Sequence, residues 1–299
     1  EAYTQASLYA EFSPVWGRPT PFYNFADDLK GEWGQIFVKE YIRDKGMFPI
    51  INVSFFGENI SLIVPTELEG CTLSDNKWRS TYKNAVINIV KVSRPLFLCI
   101  GNEVNRWYEK YGIYTGGPNS FEHYISLYEE IYDAIKSLSP EVKVFCTFAR
   151  EIISGNREAD LKILSEFNME KLDLIVFTSY PYAIREINQV SDIPDDYYSK
   201  IFVENGIDTN KLFGFTEVGW PSMDIFGGEE SQSKFVEEIP TRLTVDQGLN
   251  LYLYGWPWLH DLDNNDTIGL IKADGSEKMA YQTWEKLSRT TKQIMITGI

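Results

Sequence analysis

The amino-acid sequence predicts an α/β protein of the (β/α)8 TIM-barrel class. Short apolar runs rich in β-branched and aromatic residues recur along the chain, and amphipathic stretches separate them. Continuous rather than alternating hydrophobicity is typical of strands that are buried on both faces of a parallel sheet. The length of 299 residues suits one such barrel, which typically needs about 250 residues. We therefore expect residues 1–299 to form a single domain.

The apolar runs are interpreted as strands. In chain order they cover residues 6–12, 48–54, 96–101, 142–147, 172–178, 212–216 and 249–254. A closed barrel of this class has eight strands, so one strand is missing from this set. We expect it early in the chain, between Ser13 and Trp33, or in a segment that this chain lacks. The tail 293–299 is a weaker candidate.

Helical patterns lie between these runs. They cover residues 33–44, 77–91, 124–135 and 281–288. The third is the clearest, because Leu127, Ile131 and Ile135 share one face and acidic residues occupy the other. Asn119 or Ser120 is expected to cap its start. Strands that alternate with helices indicate parallel βα units.

The charge balance narrows the possible partners. The chain carries 43 acidic and 28 basic residues, for a formal net charge of −15. Such a surface repels phosphate backbones, so nucleic acid is not an expected partner. No apolar run approaches the roughly 20 residues of a membrane span. We expect a monomer that acts on a neutral partner.

Metal and cofactor chemistry is not expected. His123 and His260 are the two histidines, and they show none of the paired spacing of a zinc site. The acidic stretch 261–266 lacks the spaced glycine and distal glutamate of an EF-hand loop. Three cysteines cannot form a disulfide framework.

Polar residues follow several predicted strands, where the reactive side chains of such barrels lie. Glu103 follows the run 96–101, and Glu217 follows the run 212–216, three strand positions later. Two carboxylates near each other are costly to bury, and Arg106, past the strand end, is the only basic residue near either in sequence. Glycoside cleavage explains the pair better than a structural role, because it uses one protonated carboxyl and one carboxylate.

Three patches carry a family resemblance. Ile100-Gly-Asn-Glu-Val-Asn105 resembles the strand-four signature of clan A glycoside hydrolases, and Phe215-Thr-Glu-Val-Gly-Trp-Pro-Ser222 is similar to their strand-seven segment. The latter is closest to glycoside hydrolase family 17, the β-1,3-glucanases. Tyr180-Pro-Tyr182 resembles the strand-six end of family 17, and family 53 β-1,4-galactanases share a similar Tyr-Pro.

The resemblance implies a retaining endo-β-glycoside hydrolase with a polysaccharide or oligosaccharide substrate. Glu103 is then the acid/base and Glu217 the nucleophile, which forms a covalent glycosyl-enzyme. β-1,3-Glucan is the first choice of substrate, followed by β-1,4-galactan, β-mannan and β-1,4-glucan. A transglycosylase or an inactive carbohydrate-binding barrel are the alternatives. A polysaccharide substrate predicts an extracellular or cell-surface location, with which the sequons at Asn52, Asn59 and Asn265 are compatible.

Two polar residues are expected to support the glutamates. Asn102 could hydrogen-bond the sugar 2-hydroxyl, an interaction that strengthens in the transition state. A strand-end turn is its structural alternative. Tyr180 could donate its hydroxyl to Glu217 and so stabilise the ionised carboxylate, whereas the alternative is a core tyrosine.

Sugars present flat C–H faces that stack on aromatic rings, and aromatic residues make up 15% of the chain. Tryptophans are therefore the expected platforms for a sugar. Trp256 resembles the strand-eight tryptophan that lies under the reactive sugar in many clan A enzymes, and Trp258 or His260 could contribute instead. Trp16, Trp107 and Trp220 follow strand ends and are candidates for outer subsites. A core position is the alternative for each of these three.

Overall fold

The structure is a computed structural model that describes residues 1–16, 21–263 and 267–297, with side chains described to residue 289. The strands are β1 (Phe12–Trp16), β2 (Phe48–Val53), β3 (Phe97–Ile100), β4 (Lys143–Phe145), β5 (Thr147–Ala149), β6 (Glu151–Ile152), β7 (Arg157–Glu158), β8 (Ile175–Ser179), β9 (Phe213–Val218) and β10 (Leu251–Tyr254). The α-helices are α1 (Ala2–Ala6), α2 (Phe22–Lys30), α3 (Asn76–Ser93), α4 (Asn105–Tyr111), α5 (Glu122–Leu138), α6 (Ser199–Glu204), α7 (Gly228–Thr241) and α8 (Met279–Thr297).

Shorter helical segments connect these elements. Two π-helical segments cover Gly34–Glu40 and Arg242–Asp246. The 3-10 segments cover Arg43–Lys45, Glu58–Ile60, Thr66–Leu68, Ile153–Gly155, Lys162–Glu166, Met169–Lys171, Pro181–Ala183, Val190–Asp192 and Asp224–Phe226.

The chain divides into two compact units. One contains residues 11–148 and 160–175, and we name it the Glu103 unit. The other contains residues 1–10, 149–159 and 176–299, and we name it the Glu217 unit. That residues 1–299 work as one catalytic domain stays a prediction.

The Glu103 unit is built on a parallel sheet of order β1-β2-β3-β4. Three of its strands lie within or close to the predicted runs 48–54, 96–101 and 142–147. The predicted strand 6–12 is wrong, because Ala2–Ala6 is helical and the strand is Phe12–Trp16. This strand reaches into the interval where the missing strand was expected, but it replaces the run 6–12 and adds no strand.

Tyrosines of α3 and α5 tie these helices to the sheet. Both helices bury one face at the predicted spacing, and Leu127, Ile131 and Ile135 are all buried. The Tyr82 hydroxyl donates to the Val53 carbonyl at 2.8 Å, and the Tyr128 hydroxyl donates to Val144 at 3.2 Å. Many aromatic residues therefore serve the core, where a buried hydroxyl needs a partner.

The start of α5 differs from the predicted cap. Phe121 precedes the helix and makes no side-chain cap. The Asn119 side chain instead accepts from the Leu73 amide at 3.0 Å, and the Ser120 hydroxyl pairs with Glu122. Both candidate caps are thus wrong, because loop contacts occupy their side chains.

The Glu217 unit carries most of a second sheet, of order β10-β9-β8-β5, in which β9 and β10 are parallel. The predicted runs 172–178, 212–216 and 249–254 correspond to β8, β9 and β10, although β9 extends through Glu217 to Val218. The tail 293–299 was a weak strand candidate; through Thr297 it belongs to α8 instead. Residues 298 and 299 lie outside the described residues.

Candidate functional site

Glu103 lies in a tight turn after β3. Its backbone is left-handed, with a φ of 51°, and Gly101 before it has a φ of 100°. A Cβ at Gly101 would lie 2.7 Å from Val104 Cγ1 and 2.9 Å from the Tyr124 hydroxyl oxygen, so this position requires glycine. A left-handed conformation in a residue other than glycine costs about 1–3 kcal/mol and is often found at functional sites.

Thr147, the first residue of β5, holds this turn. Its hydroxyl accepts from the Glu103 amide at 2.8 Å and donates to Asn102 Oδ1 at 2.7 Å. Its carbonyl accepts from the Val104 amide at 2.9 Å. The turn that presents Glu103 is therefore fixed by one residue of β5. Sequence reasoning missed Thr147, because a threonine at a strand end gives no signal of its own.

Arg106, which lies past the strand end, contacts Glu103. Its Nη1 lies 2.8 Å from Glu103 Oε2, while the Arg106 and Glu103 side chains are 42% and 20% exposed. A partly exposed pair of this kind contributes little to stability, about 0–1 kcal/mol. The contact does not by itself assign Glu103 a structural role.

Glu217 and Tyr180 meet as the sequence predicts. Glu217 lies near the end of β9, and Tyr180 directly follows the neighbouring strand β8. The Tyr180 hydroxyl donates to Glu217 Oε2 at 2.6 Å. Backbone bonds hold the strand end in place, since the Val218 amide donates to Gly255 and the Gly219 amide donates to Ser179. A short hydrogen bond from a phenol stabilises negative charge on the carboxylate and fixes its orientation.

A third carboxylate, Glu151, lies behind Tyr180. Its Oε2 accepts from the Tyr180 amide at 2.6 Å, and its Oε1 accepts from the Tyr197 hydroxyl at 2.7 Å and the Ser179 hydroxyl at 3.0 Å. Burial raises the pKa of Glu151 to about 7, although Arg150 and the three donors act in the opposite direction. Sequence reasoning missed this acid, because the predicted strand ended at Thr147 and left Glu151 in a loop.

Arg150 packs beneath this group. Its guanidinium lies 3.9 Å from the centre of the Tyr197 ring, and Nη1 bonds Glu158 at 2.9 Å. Burial acts to lower the pKa of Arg150, but the interactions with Tyr197, Glu151 and Glu158 outweigh it and raise the pKa. Arg150 therefore supports Tyr197.

The prediction that Trp107 and Trp220 line sugar subsites is wrong. Both are fully buried. Trp107 donates its indole N–H to the Asn119 carbonyl at 2.7 Å, and Trp220 donates to Phe226 at 3.1 Å and stacks on Phe235. Their rings belong to the cores of their units, and a sugar cannot reach them.

The other three tryptophans keep exposed surface or lie at an edge. Trp258 is 48% exposed. Trp256 is half-buried, with its indole N–H donating to the Ile268 carbonyl at 2.7 Å and its ring edge-on to Trp284. Trp16 is half-buried at the end of β1, in register with Asn52 of β2. These three remain candidate platforms.

The sequons differ in accessibility. Asn52 is buried, with 2% of its surface exposed, so glycosylation there is ruled out in the folded chain. Asn59 is exposed, and Asn265 lies outside the described residues. No helix in the described part of the chain is both long and apolar enough to cross a bilayer. Within residues 1–16, 21–263 and 267–297, no cluster of three or more His, Cys, Asp or Glu side chains is suited to a metal ion.

Comparison with solved structures identifies the fold. Over 96% of its length the chain superposes on 73% of a family 5, subfamily 18 glycoside hydrolase variant from Streptomyces cattleya in complex with Manβ1-4GlcNAc, with a TM-score of 0.65 and 13% identity. Over 97% of its length it superposes on 86% of the β-glycosidase BGL167, with a TM-score of 0.67 and 13% identity. The fold is that of the barrel glycoside hydrolases.

A third neighbour belongs to another family of these enzymes. The chain covers 60% of a family 39 glycoside hydrolase from Bacteroides cellulosilyticus WH2, with a TM-score of 0.60 and 14% identity over 96% of this chain. No protein-family model matches the chain, and no curated protein matches it. The α/β fold class predicted from the sequence is confirmed.

Proposed function

We propose that this protein is a retaining β-glycoside hydrolase in which Glu217 is the nucleophile and Glu103 the acid/base. The observation that carries the proposal is the 2.6 Å hydrogen bond from the Tyr180 hydroxyl to Glu217 Oε2 at the ends of neighbouring strands. A tyrosine that stabilises and orients a carboxylate prepares it for attack on an anomeric carbon. The left-handed backbone of Glu103, in a chain with the barrel glycosidase fold, supports the assignment of Glu103 as the acid/base.

The reaction proceeds in two displacements. Glu217 attacks the anomeric carbon while Glu103 gives its proton to the leaving glycosidic oxygen. This forms an ester between Glu217 and the sugar. Glu103, now ionised, then takes a proton from water, which attacks the same carbon and releases Glu217.

Asn102 is proposed to bind the sugar 2-hydroxyl. Because its Oδ1 accepts from Thr147 at 2.7 Å, the Nδ2 amide is the side of Asn102 that can donate to a sugar. A hydrogen bond to the 2-hydroxyl strengthens as the oxocarbenium-like transition state forms. Thr147 therefore orients Asn102 as well as Glu103.

The substrate proposed first is β-1,3-glucan, on the strength of the resemblance of residues 215–222 to family 17. A β-mannoside is the second candidate, because two family 5 neighbours hold Manβ1-4GlcNAc. A β-1,4-galactan or β-1,4-glucan follows. A polymeric substrate also supports action outside the cell or at its surface.

A panel of polysaccharides with product sizing tests the proposal. Laminarin, β-mannan, β-1,4-galactan, β-1,4-glucan and Manβ1-4GlcNAc are incubated with the protein, and proton NMR records the anomer first released. Cleavage with retention supports the proposal, and new glycosidic bonds in place of hydrolysis would indicate a transglycosylase. A folded protein that cleaves none of these substrates overturns it.

Substitution of the two glutamates tests their roles. Glu103→Ala is expected to lower turnover about 10²–10⁴-fold, and Glu217→Ala to abolish it. Azide can replace either missing carboxylate, so Glu217→Ala should yield the glycosyl azide of inverted configuration and Glu103→Ala that of retained configuration. Glu237→Gln, on an exposed glutamate of α7, is the matched control. Unchanged turnover in Glu217→Ala would indicate a binding protein.

A further inference from the structure

The buried Glu151 carboxylate accepts hydrogen bonds from three donors. Its side chain belongs to a residue that is 5% exposed, and both of its oxygens accept. A buried carboxylate is unfavourable unless its lone pairs are satisfied. None of the steps of the proposed reaction uses Glu151. A buried acid beside a candidate site is itself a candidate for a functional role.

Tyr180 connects Glu151 to Glu217. Its backbone amide donates to Glu151 Oε2 at 2.6 Å, and its hydroxyl donates to Glu217 Oε2 at 2.6 Å. The two contacts hold opposite ends of one residue. A shift of the Tyr180 backbone therefore moves the hydroxyl that orients Glu217.

An ion-paired group lies on the other side of Glu151. Tyr197, which donates to Oε1, lies between Glu151 and Arg150, and Arg150 Nη2 donates to the Tyr197 carbonyl at 3.0 Å. Glu158 bonds Arg150 at 2.9 Å and Lys200 at 3.0 Å. This ion-paired group anchors the Glu151 carboxylate from behind.

We propose that Glu151 is a positioning residue for Glu217, because it holds the Tyr180 backbone and thereby directs the Tyr180 hydroxyl at Glu217 Oε2. The inference rests on the proposed function and adds a residue to it. Glu151 touches no substrate in this proposal. It acts only through Tyr180.

The protonation state of Glu151 changes how firmly Tyr180 is held. The ionised carboxylate accepts from all three donors. The protonated form carries one donor of its own, and the Ser179 and Tyr198 hydroxyls, which lie 2.8 Å apart and can reverse their roles, accommodate it. The charged and titratable groups that face Glu151 are Arg150, Tyr197 and Tyr198. With its pKa raised to about 7, Glu151 ionises close to neutral pH.

A double-mutant cycle tests the proposal. Glu151→Gln resembles the protonated form, so above pH 7 it is expected to lower kcat about 5–10-fold, the difference between a charged and a neutral hydrogen bond, with KM unchanged. The part of the pH dependence of kcat near 7 that comes from the ionisation of Glu151 should disappear. In a Tyr180→Phe background the same change should have less than about a two-fold effect. An equal effect in both backgrounds, or a profile of kcat against pH identical to that of the wild type, overturns the proposal.

Two further measurements keep the test decisive. Should Glu151→Gln fail to fold, Ser179→Ala removes one donor and enters the same cycle with a smaller expected effect. A crystal structure of Glu151→Ala is independent of activity, and the Tyr180 hydroxyl should there leave hydrogen-bonding distance of Glu217. An unmoved hydroxyl overturns the inference, whereas a wild-type protein that cleaves no glycan overturns the proposed function alone.

Discussion

Replacement of Glu151 by Gln should change how the stability of this protein depends on pH. Burial raises the pKa of Glu151 from an ordinary value of 4.5 to about 7 in the folded chain. At about 1.4 kcal/mol for each pH unit between these two values, the folded state is destabilised by up to about 3 kcal/mol once Glu151 is ionised. The glutamine cannot ionise, so the variant is free of this effect.

The sign of this pH dependence follows from the protons that Glu151 binds in the folded and unfolded chains. Below pH 4.5 Glu151 is protonated in both the folded and the unfolded chain, and it adds no pH dependence. Between about 4.5 and 7 the folded chain binds more protons, so the stability of the wild type falls as the pH rises. Above pH 7 Glu151 is ionised in both the folded and the unfolded chain, and the full destabilisation of the folded state is present. The free energy of unfolding of Glu151→Gln, relative to the wild type, should therefore rise by about 3 kcal/mol between pH 4 and pH 8.

Urea unfolding at a series of pH values measures this difference, using fluorescence and circular dichroism where the two transitions coincide. Glu158→Gln is the control, because Glu158 is expected to change the pH dependence of stability in the opposite direction. Burial acts to raise the pKa of Glu158, but Arg150 and Lys200 outweigh it and lower the pKa. Glu158 therefore stabilises the fold above its ordinary pKa, and this stability is lost as the pH falls through its folded pKa. Parallel curves for Glu151→Gln and the wild type would refute the reasoning.

Four other variants have distinct expected outcomes. Tyr180→Phe removes one hydrogen bond to a charged group and should lower kcat/KM about 10–100-fold with an unchanged unfolding midpoint; equal kcat/KM would contradict the role of Tyr180. Trp258→Ala should raise KM without loss of stability, whereas Trp220→Ala should cost about 3–5 kcal/mol in the free energy of unfolding, and the reverse pattern would show the assignments to be exchanged. Lys278→Ala breaks a buried 2.7 Å ion pair with Asp261 and should cost about 3–5 kcal/mol, which a urea midpoint equal to that of the wild type would exclude.

Much of the fold could be predicted because apolar runs mark buried parallel strands directly. The runs at 48–54, 96–101 and 212–216 each contain most of the strand that forms there. The run 6–12 misled because a short apolar segment does not distinguish a strand from the end of a helix and its turn, and only Ala6 of this run is helical. The actual strand Phe12–Trp16 contains Pro14, which usually counts against a strand but is tolerated at the edge of a sheet.

Only part of the candidate site could be predicted from the sequence, and two tryptophans show why. Trp220 and Trp258 both follow strand ends in motifs that contain proline. Burial separates them, since Trp220 packs on Phe235 of α7 while Trp258 is 48% exposed. That contact joins residues far apart in sequence, so no local pattern records it. Sequence predicts which residues stand near a strand end, but not which way a large ring turns.

The residues that sequence reasoning missed share one property. Thr147 holds the turn at Glu103, and Glu151 holds Tyr180 beside Glu217. Each binds a backbone amide that follows a different strand, so its role depends on the register between strands and on where each strand ends. Reactive carboxylates stand out in sequence because an acid after an apolar run is chemically unexpected. Their supports do not, because a threonine or a glutamate in a loop is ordinary until the structure shows which amide it binds.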